Sequence, residues 1–275
     1  MLKGKLLDRI NSGQQSEVEP KLRGRGLTIG HRATELAVVV SSAEALTGEE
    51  SVASQLEYLH GLAELGLEKG VGWESLLSGE TLGSNIEPSA IVSEKGALAR
   101  AGLEHDKSAL TLGAALKGPD YGALKEKYPR DRYKFYHSII DKERGEAYLA
   151  ELFQLAKKSG LSLTTKVFDH AYDNPNLYTW HPNELAQIIA EVYPKYIDAF
   201  GETEHFLQGP LVGVNQKHIG WVQEPVASLE LDSHSGRMGQ IGRELDAHGL
   251  SEEAYRKGCE AVGVRPEAPW LLLQE

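Results

Sequence analysis

From Arg130 onward the chain alternates between short aromatic or β-branched runs and longer amphipathic ones, and this alternation constrains the fold more than any other feature. Residues 132–140 are aromatic and β-branched, which predicts a strand. Residues 142–158 carry Ala147, Leu149, Leu152, Phe153, Leu155 and Ala156 on one broad face, which predicts a helix. Ser159 and Gly160 form a natural helix stop. Strands are expected at 161–168 and 177–180, separated by a loop that contains Asn174 and Pro175. Pro182 opens a helix at the position where a missing N–H costs nothing, and that helix should run to about Phe200. Strand-like pieces follow at 208–214 and 217–223. Further helices are expected from Ser235 to about Gly249, and over 251–261 behind a Ser-Glu-Glu start.

Before Gly118 and Pro119 the texture differs. Residues 1–30 are polar, with glycine interleaved around Arg23 and Arg25, and read as a loose arm or an early strand-like segment. Residues 31–115 are helical in character: Leu56, Leu62, Leu65 and Leu67 approximate a 3.6-residue period, and glycines at 70–72 and 83 break the pattern into pieces. The expected class is α+β, with a mainly helical region over 1–117 followed by a mixed β-sheet flanked by helices over 118–275.

Charge and composition narrow the function. With 29 Lys and Arg against 40 Asp and Glu, the formal charge is -11, so the long-range field repels nucleic acid and anionic membrane. A single cysteine, Cys259, forms no internal disulfide and excludes multi-cysteine metal motifs. The longest apolar burst, residues 36–40, is far short of the about 20 residues a membrane span needs. No signal-peptide pattern opens the chain, so the cytoplasm is the expected compartment. A protein delivered into a host cell by a dedicated secretion machine would look the same. There is no HExxH, Walker loop, dinucleotide fingerprint or Gly-x-Ser-x-Gly elbow, and neither metal nor cofactor is expected.

Four segments hold candidate chemistry. Residues 125–144 place seven Lys and Arg against four Asp and Glu inside an acidic chain. There Arg132, Lys134 and His137 interleave with Tyr133, Phe135 and Tyr136. Such cations suit an anion pocket, Arg by a bidentate contact and Lys as a point charge; a half-buried strand with one solvated face would read the same way. On a regular strand Lys134 and His137 point to opposite faces, so only a bulge or a strand end lets them share a pocket. Lys166 stands inside an apolar, β-branched strand. There it is either a desolvated amine with a lowered pKa, fit to act as a base, or a guard on an edge strand. The loop from His170 to His181 offers Asp173 to orient a cation and Tyr178 to hydrogen-bond a substrate, against a plain Asx turn. Asp232 to Gln240 leads into a helix whose first amides, with Arg237, suit an anion, or are simply capped by Ser233 or Ser235.

The order of these pieces resembles the HopA-type effector family, whose members also occur beside kinase-like proteins in lanthipeptide and thioamitide biosynthesis. It is distantly similar to phosphothreonine lyase effectors and to the lyase domains of multidomain lanthipeptide synthetases. The residues that carry the resemblance lie at 132–137, 165–168, 172–178 and 235–239, within a matching stretch of about 128–248; residues 1–117 contribute nothing to it. The resemblance implies a lyase that eliminates phosphate from phosphorylated Ser or Thr of a precursor peptide to leave dehydroamino acids. Lys166 would be the base and His137 the acid, with Lys134 and Arg237 on the phosphate and Tyr178 positioning substrate. Arg132 and Asp173 would assist in binding. A separate kinase would supply the phosphate. Three departures reduce the cation count or alter spacing. Lys134 and His137 are three apart where phosphothreonine lyases have two, the segment Trp221 to Glu224 lacks an expected Arg, and Asn174 stands where HopA-type lyases often carry Arg. The competing expectations are a non-catalytic effector or accessory protein that binds a peptide or partner kinase, and an enzyme acting on another anionic molecule.

Overall fold

The computed structural model describes residues 49–78, 92, 94–103, 114–116, 118–120, 122–123, 126, 133–166, 175–201, 207–211, 213–215, 217–225 and 233–273. Helices α1 (Glu49–Lys69), α2 (Trp73–Ser78) and α3 (Glu94–Arg100) come first. The break after α1 falls where the sequence places it, at Gly70, whose φ of 66° is a left-handed stop that most residues resist. Strands β1 (Ala114–Leu116) and β2 (Tyr133–His137) follow, then α4 (Lys142–Lys158), β3 (Leu163–Lys166), β4 (Asn176–Thr179) and α5 (Pro182–Val192). The chain ends in β5 (Ile219–Gln223), α6 (His234–His248), α7 (Glu252–Ala261), β6 (Val264–Arg265) and β7 (Ala268–Leu272).

The class is α+β, as the alternation implied. The main sheet has order β1-β3-β4-β2-β5, and where a mixed sheet was expected each of its pairings is antiparallel. Helix ends follow local chemistry. Asp141 caps α4 by accepting from the Arg144 N–H at 2.9 Å, Ser233 caps α6 and Ser251 caps α7, each cap contributing about 1 kcal/mol. Helix α5 stops at Val192 and gives way to two 3-10 turns, Tyr193–Lys195 and Ile197–Ala199, instead of running on to Phe200. Pro194 removes the N–H an α-helix would need there. The strand expected at 208–214 reduces to one bridge between Gly209 and Trp221. Strands β6 and β7, which pair as a hairpin, had no forecast.

Two apolar clusters organise the molecule. The larger packs α3, α4, α5 and β7 against the sheet, with Phe135, Tyr148, Phe153, Leu177, Ile189 and Trp221 among its members. The smaller joins Leu59, Leu62 and Leu77 of α1 and α2 to Met238, Ile241, Tyr255 and Cys259 of α6 and α7. Helix α2 lies directly on α6, because Gly242 has no Cβ: one built there would sit 2.5 Å from the Trp73 carbonyl oxygen. Asp246 of α6 then caps α2, accepting from the Trp73 and Glu74 amides at 2.8 and 3.0 Å across more than 170 residues of sequence. This clamp fixes α6, and with it the start of that helix beside the sheet.

Candidate functional site

Strand β2 pairs with β4 and β5 in unbroken register, so its residues alternate strictly between two faces. Tyr133, Phe135 and His137 turn to the side covered by α4. His137 is fully buried and makes two hydrogen bonds there, Nδ1 to the Pro175 carbonyl at 3.2 Å and Nε2 to the Tyr148 hydroxyl at 3.1 Å. A carbonyl only accepts, so Nδ1 carries the proton, and Nε2 accepts from Tyr148. Burial drives the His137 pKa down to about 3, against smaller raising effects of the Phe135 and Pro175 backbone. Tyr148, Phe200 and the ring of His218 stacked on Phe200 complete a buried aromatic cluster. The acid role expected for His137 is therefore corrected. There is no bulge to bring it to Lys134, both its ring nitrogens are already hydrogen-bonded inside the protein, and at neutral pH the buried ring has no acidic proton to give.

The opposite face is built from the other alternate positions. Lys134 and Tyr136 stand there, opposite Tyr178 and Asn176 of β4. The Lys134 Nζ sits 4.0 Å from the Tyr136 ring centroid and 5.9 Å from that of Tyr178. Two aromatic faces thus hold the ammonium over the sheet, an attraction of order 0.5–2 kcal/mol. Pairing with β3 extends both rows. Thr164 lies opposite Tyr178, and Lys166 lies opposite Asn176. One row therefore reads Lys166, Asn176, Tyr136 and Gly220, and the next reads Thr164, Tyr178, Lys134 and Val222. By strand alternation Lys166 belongs to the Lys134 face and His137 to the other. The Gln208 side chain fills the space that Gly220 leaves, closing the end of the first row.

Helix α6 meets this face at its first turn. The His234 ring lies 6.2 Å from the Tyr136 ring, and both are buried. Arg237, one turn on, is almost fully buried; its Nη2 donates to the Gln223 carbonyl at 3.0 Å and its Nη1 lies 3.6 Å from the Glu224 carboxylate. This arginine ties α6 to the end of β5, and a nearby carboxylate already balances part of its charge. Arg132, Asp173 and the side chain of Lys166 lie outside the described residues.

Elsewhere, His181 pairs with Asp120 at 2.9 Å, and Ser162 donates to the other Asp120 oxygen at 3.1 Å. That constellation ties the turn after β1 to the start of α5. Its serine does not contact the histidine, as a nucleophile–base pair would. Cys259 is buried, which pushes its thiol up to about 12. Among the described residues, no group of three or more His, Cys, Asp or Glu is placed to hold a metal ion, and no helix is long and apolar enough to cross a membrane.

Two residues of this face escaped the sequence reading. Asn176 hides in an Asn-Pro-Asn run that looks like a turn, and His234 in a run that looks like a cap. Only the strand register and the placement of α6 bring them to Tyr136.

No protein-family model and no curated protein matches this chain. Among solved structures it is similar to an effector protein from Pseudomonas syringae pv. tomato strain DC3000, at 12% identity and a TM-score of 0.47 over 82% of this chain and 99% of that one. It is similar also to an effector protein from Pseudomonas syringae pv. syringae strain 61, at 13% identity and a TM-score of 0.43 over the same shares.

Proposed function

We propose that the chain is a lyase that eliminates phosphate from a phosphorylated Ser or Thr of a peptide, with its chemistry on the Lys134 face of the sheet. The observation that carries this reading is the register: it sets Lys166 in one row with Asn176 and Tyr136, beside the row that holds Lys134 and Tyr178. An α-proton is weakly acidic, so its removal needs an amine base and fixed donors for the charge that develops. Lys166 is the base. Lys134, held between two rings, is the point charge for the phosphoryl group, with Arg132 just before β2 as a second cation. Tyr178 and Asp173 position the peptide. Arg237 holds α6 against β5 and adds positive charge behind the helix start. His234, beside Tyr136, takes the role of proton donor to the departing phosphate that the resemblance implied for His137.

The test is mass spectrometry of phosphoserine and phosphothreonine peptides incubated with the protein. The expected result is loss of one phosphoric acid per site and release of inorganic phosphate. Lys166→Ala removes the base and is expected to abolish turnover while leaving thermal unfolding unchanged. A phosphopeptide that binds with its mass unaltered assigns the protein instead to the non-catalytic, partner-binding class of effector or accessory proteins.

A further inference from the structure

Asn176 is an anomaly in this fold. It is fully buried, yet neither its Nδ2 nor its Oδ1 has a hydrogen-bond partner among the described residues. A buried carboxamide left in that state costs about 1–3 kcal/mol. Its strand neighbour Thr179 shows the ordinary arrangement: its hydroxyl donates to the Ser162 carbonyl and accepts from the His181 amide. The anomaly stands where the proposed chemistry does, since Asn176 is paired with Lys166 on one side and Tyr136 on the other. Its backbone is also held from beneath, because His137 on the far face donates to the carbonyl of Pro175, the residue before it.

We propose that the Asn176 carboxamide binds the carbonyl oxygen of the phosphorylated residue and stabilises the negative charge that forms there when the α-proton leaves. The inference rests on the lyase reading and names the group that lowers its barrier. In the step, the Cα–H bond breaks and its proton passes to the Lys166 amine, while the electron pair forms the carbon–carbon double bond of an enolate with charge on the carbonyl oxygen. The carbonyl then re-forms and the Cβ–O bond breaks, its electron pair leaving with phosphate, which takes a proton from His234. The products are a dehydroamino acid and inorganic phosphate. Nδ2–H donates to the enolate oxygen, and a neutral donor suits a place beside Lys166, where a cation would oppose protonation of the base. The donor is carried by a regular strand and packed in the interior, which limits its reorganisation when the charge appears.

Two variants bracket the side-chain volume: Asn176→Ala and Asn176→Leu, assayed for phosphate release from a phosphoserine peptide, with thermal unfolding followed in parallel. Both are expected to lower kcat by about 100- to 1000-fold with KM nearly unchanged, the loss typical of one oxyanion donor. Asn176→Leu, close to isosteric but apolar, is expected to raise the Tm, because it removes an unsatisfied buried amide. A purely structural role for the carboxamide predicts the reverse, a lower Tm with kcat preserved in the folded fraction. Wild-type protein that releases no phosphate overturns both the lyase reading and this inference. Wild-type turnover with either variant within about tenfold of it overturns the inference alone.

Discussion

The two faces of the central sheet are made by alternate residues of the same strands and have opposite character. Beneath the sheet, His137 lies among Tyr148, Phe200 and the rest of the α4 side, with both ring nitrogens hydrogen-bonded inside the protein. Above it, Lys134 is half-buried between two tyrosine rings, and the Asn176 amide has no described partner. A group with every valence met inside the protein is part of the scaffold. A charged or unsatisfied group held in place by that scaffold is available for chemistry. Two positions, 134 and 137, look equally catalytic in a one-dimensional reading; strand alternation sets them on opposite faces, and the two internal hydrogen bonds of His137 mark it as scaffold.

The comparison makes unequal demands on substitutions. Lys134→Ala tests the upper face most strongly. It removes a charge-assisted contact of about 1.5–3 kcal/mol, so KM for a phosphopeptide is expected to rise roughly 10- to 150-fold, read by steady-state kinetics, with stability lowered only by the about 0.5–2 kcal/mol of the lost ring contacts. Below the sheet the expected losses are in stability. Gly209 is bridged to Trp221, and a Cβ at Gly209 would sit 2.4 Å from the indole ring. Gly209→Ala is therefore expected to cost about 1–3 kcal/mol in denaturant unfolding, by overpacking.

The pH dependence of stability comes from the lower face. The folded His137 ring stays neutral down to about pH 3, whereas an unfolded histidine takes up a proton near 6.5. Below pH 6.5 the unfolded chain binds more protons, so stability is full above that pH and falls as pH drops, by about 1.4 kcal/mol per unit from this residue. Between pH 6.5 and 5 the expected loss is about 2 kcal/mol. His137→Gln, which cannot titrate, should flatten the slope. The slope that remains belongs in part to His181, whose pKa burial also lowers despite the raising effect of Asp120.

Much of the fold was legible in the sequence because it is written locally. Asp141 and Ser159 bound α4, Ser251 starts α7, and the β2 segment is set by its aromatic and β-branched content. What was not legible depends on distant partners. The β6–β7 hairpin carries Pro266 and Pro269, which spoil any strand pattern; the Tyr255 hydroxyl secures the hairpin to α7 by donating to the Pro266 carbonyl at 2.9 Å. For the proposed site, residue type put forward Lys134, Lys166 and Tyr178, three positions that the register sets on one face. The alternation rule alone already set His137 against Lys134. It could not say that Asn176 would share a row with Lys166, because that follows from strand order β3-β4-β2, a property of the whole sheet.

The most direct test of the division between the faces is the turnover of His137→Gln with a phosphopeptide, measured on folded protein at pH 7.5 and set against Lys166→Ala. A glutamine puts an amide near the place of Nε2, where its oxygen can accept from the Tyr148 hydroxyl, but supplies no imidazole. His137→Gln, though less stable, is expected to keep a kcat close to wild type, whereas Lys166→Ala is expected to have none. If folded His137→Gln is as inactive as Lys166→Ala, the chemistry depends on the imidazole beneath the sheet and the assignment of the two faces is wrong.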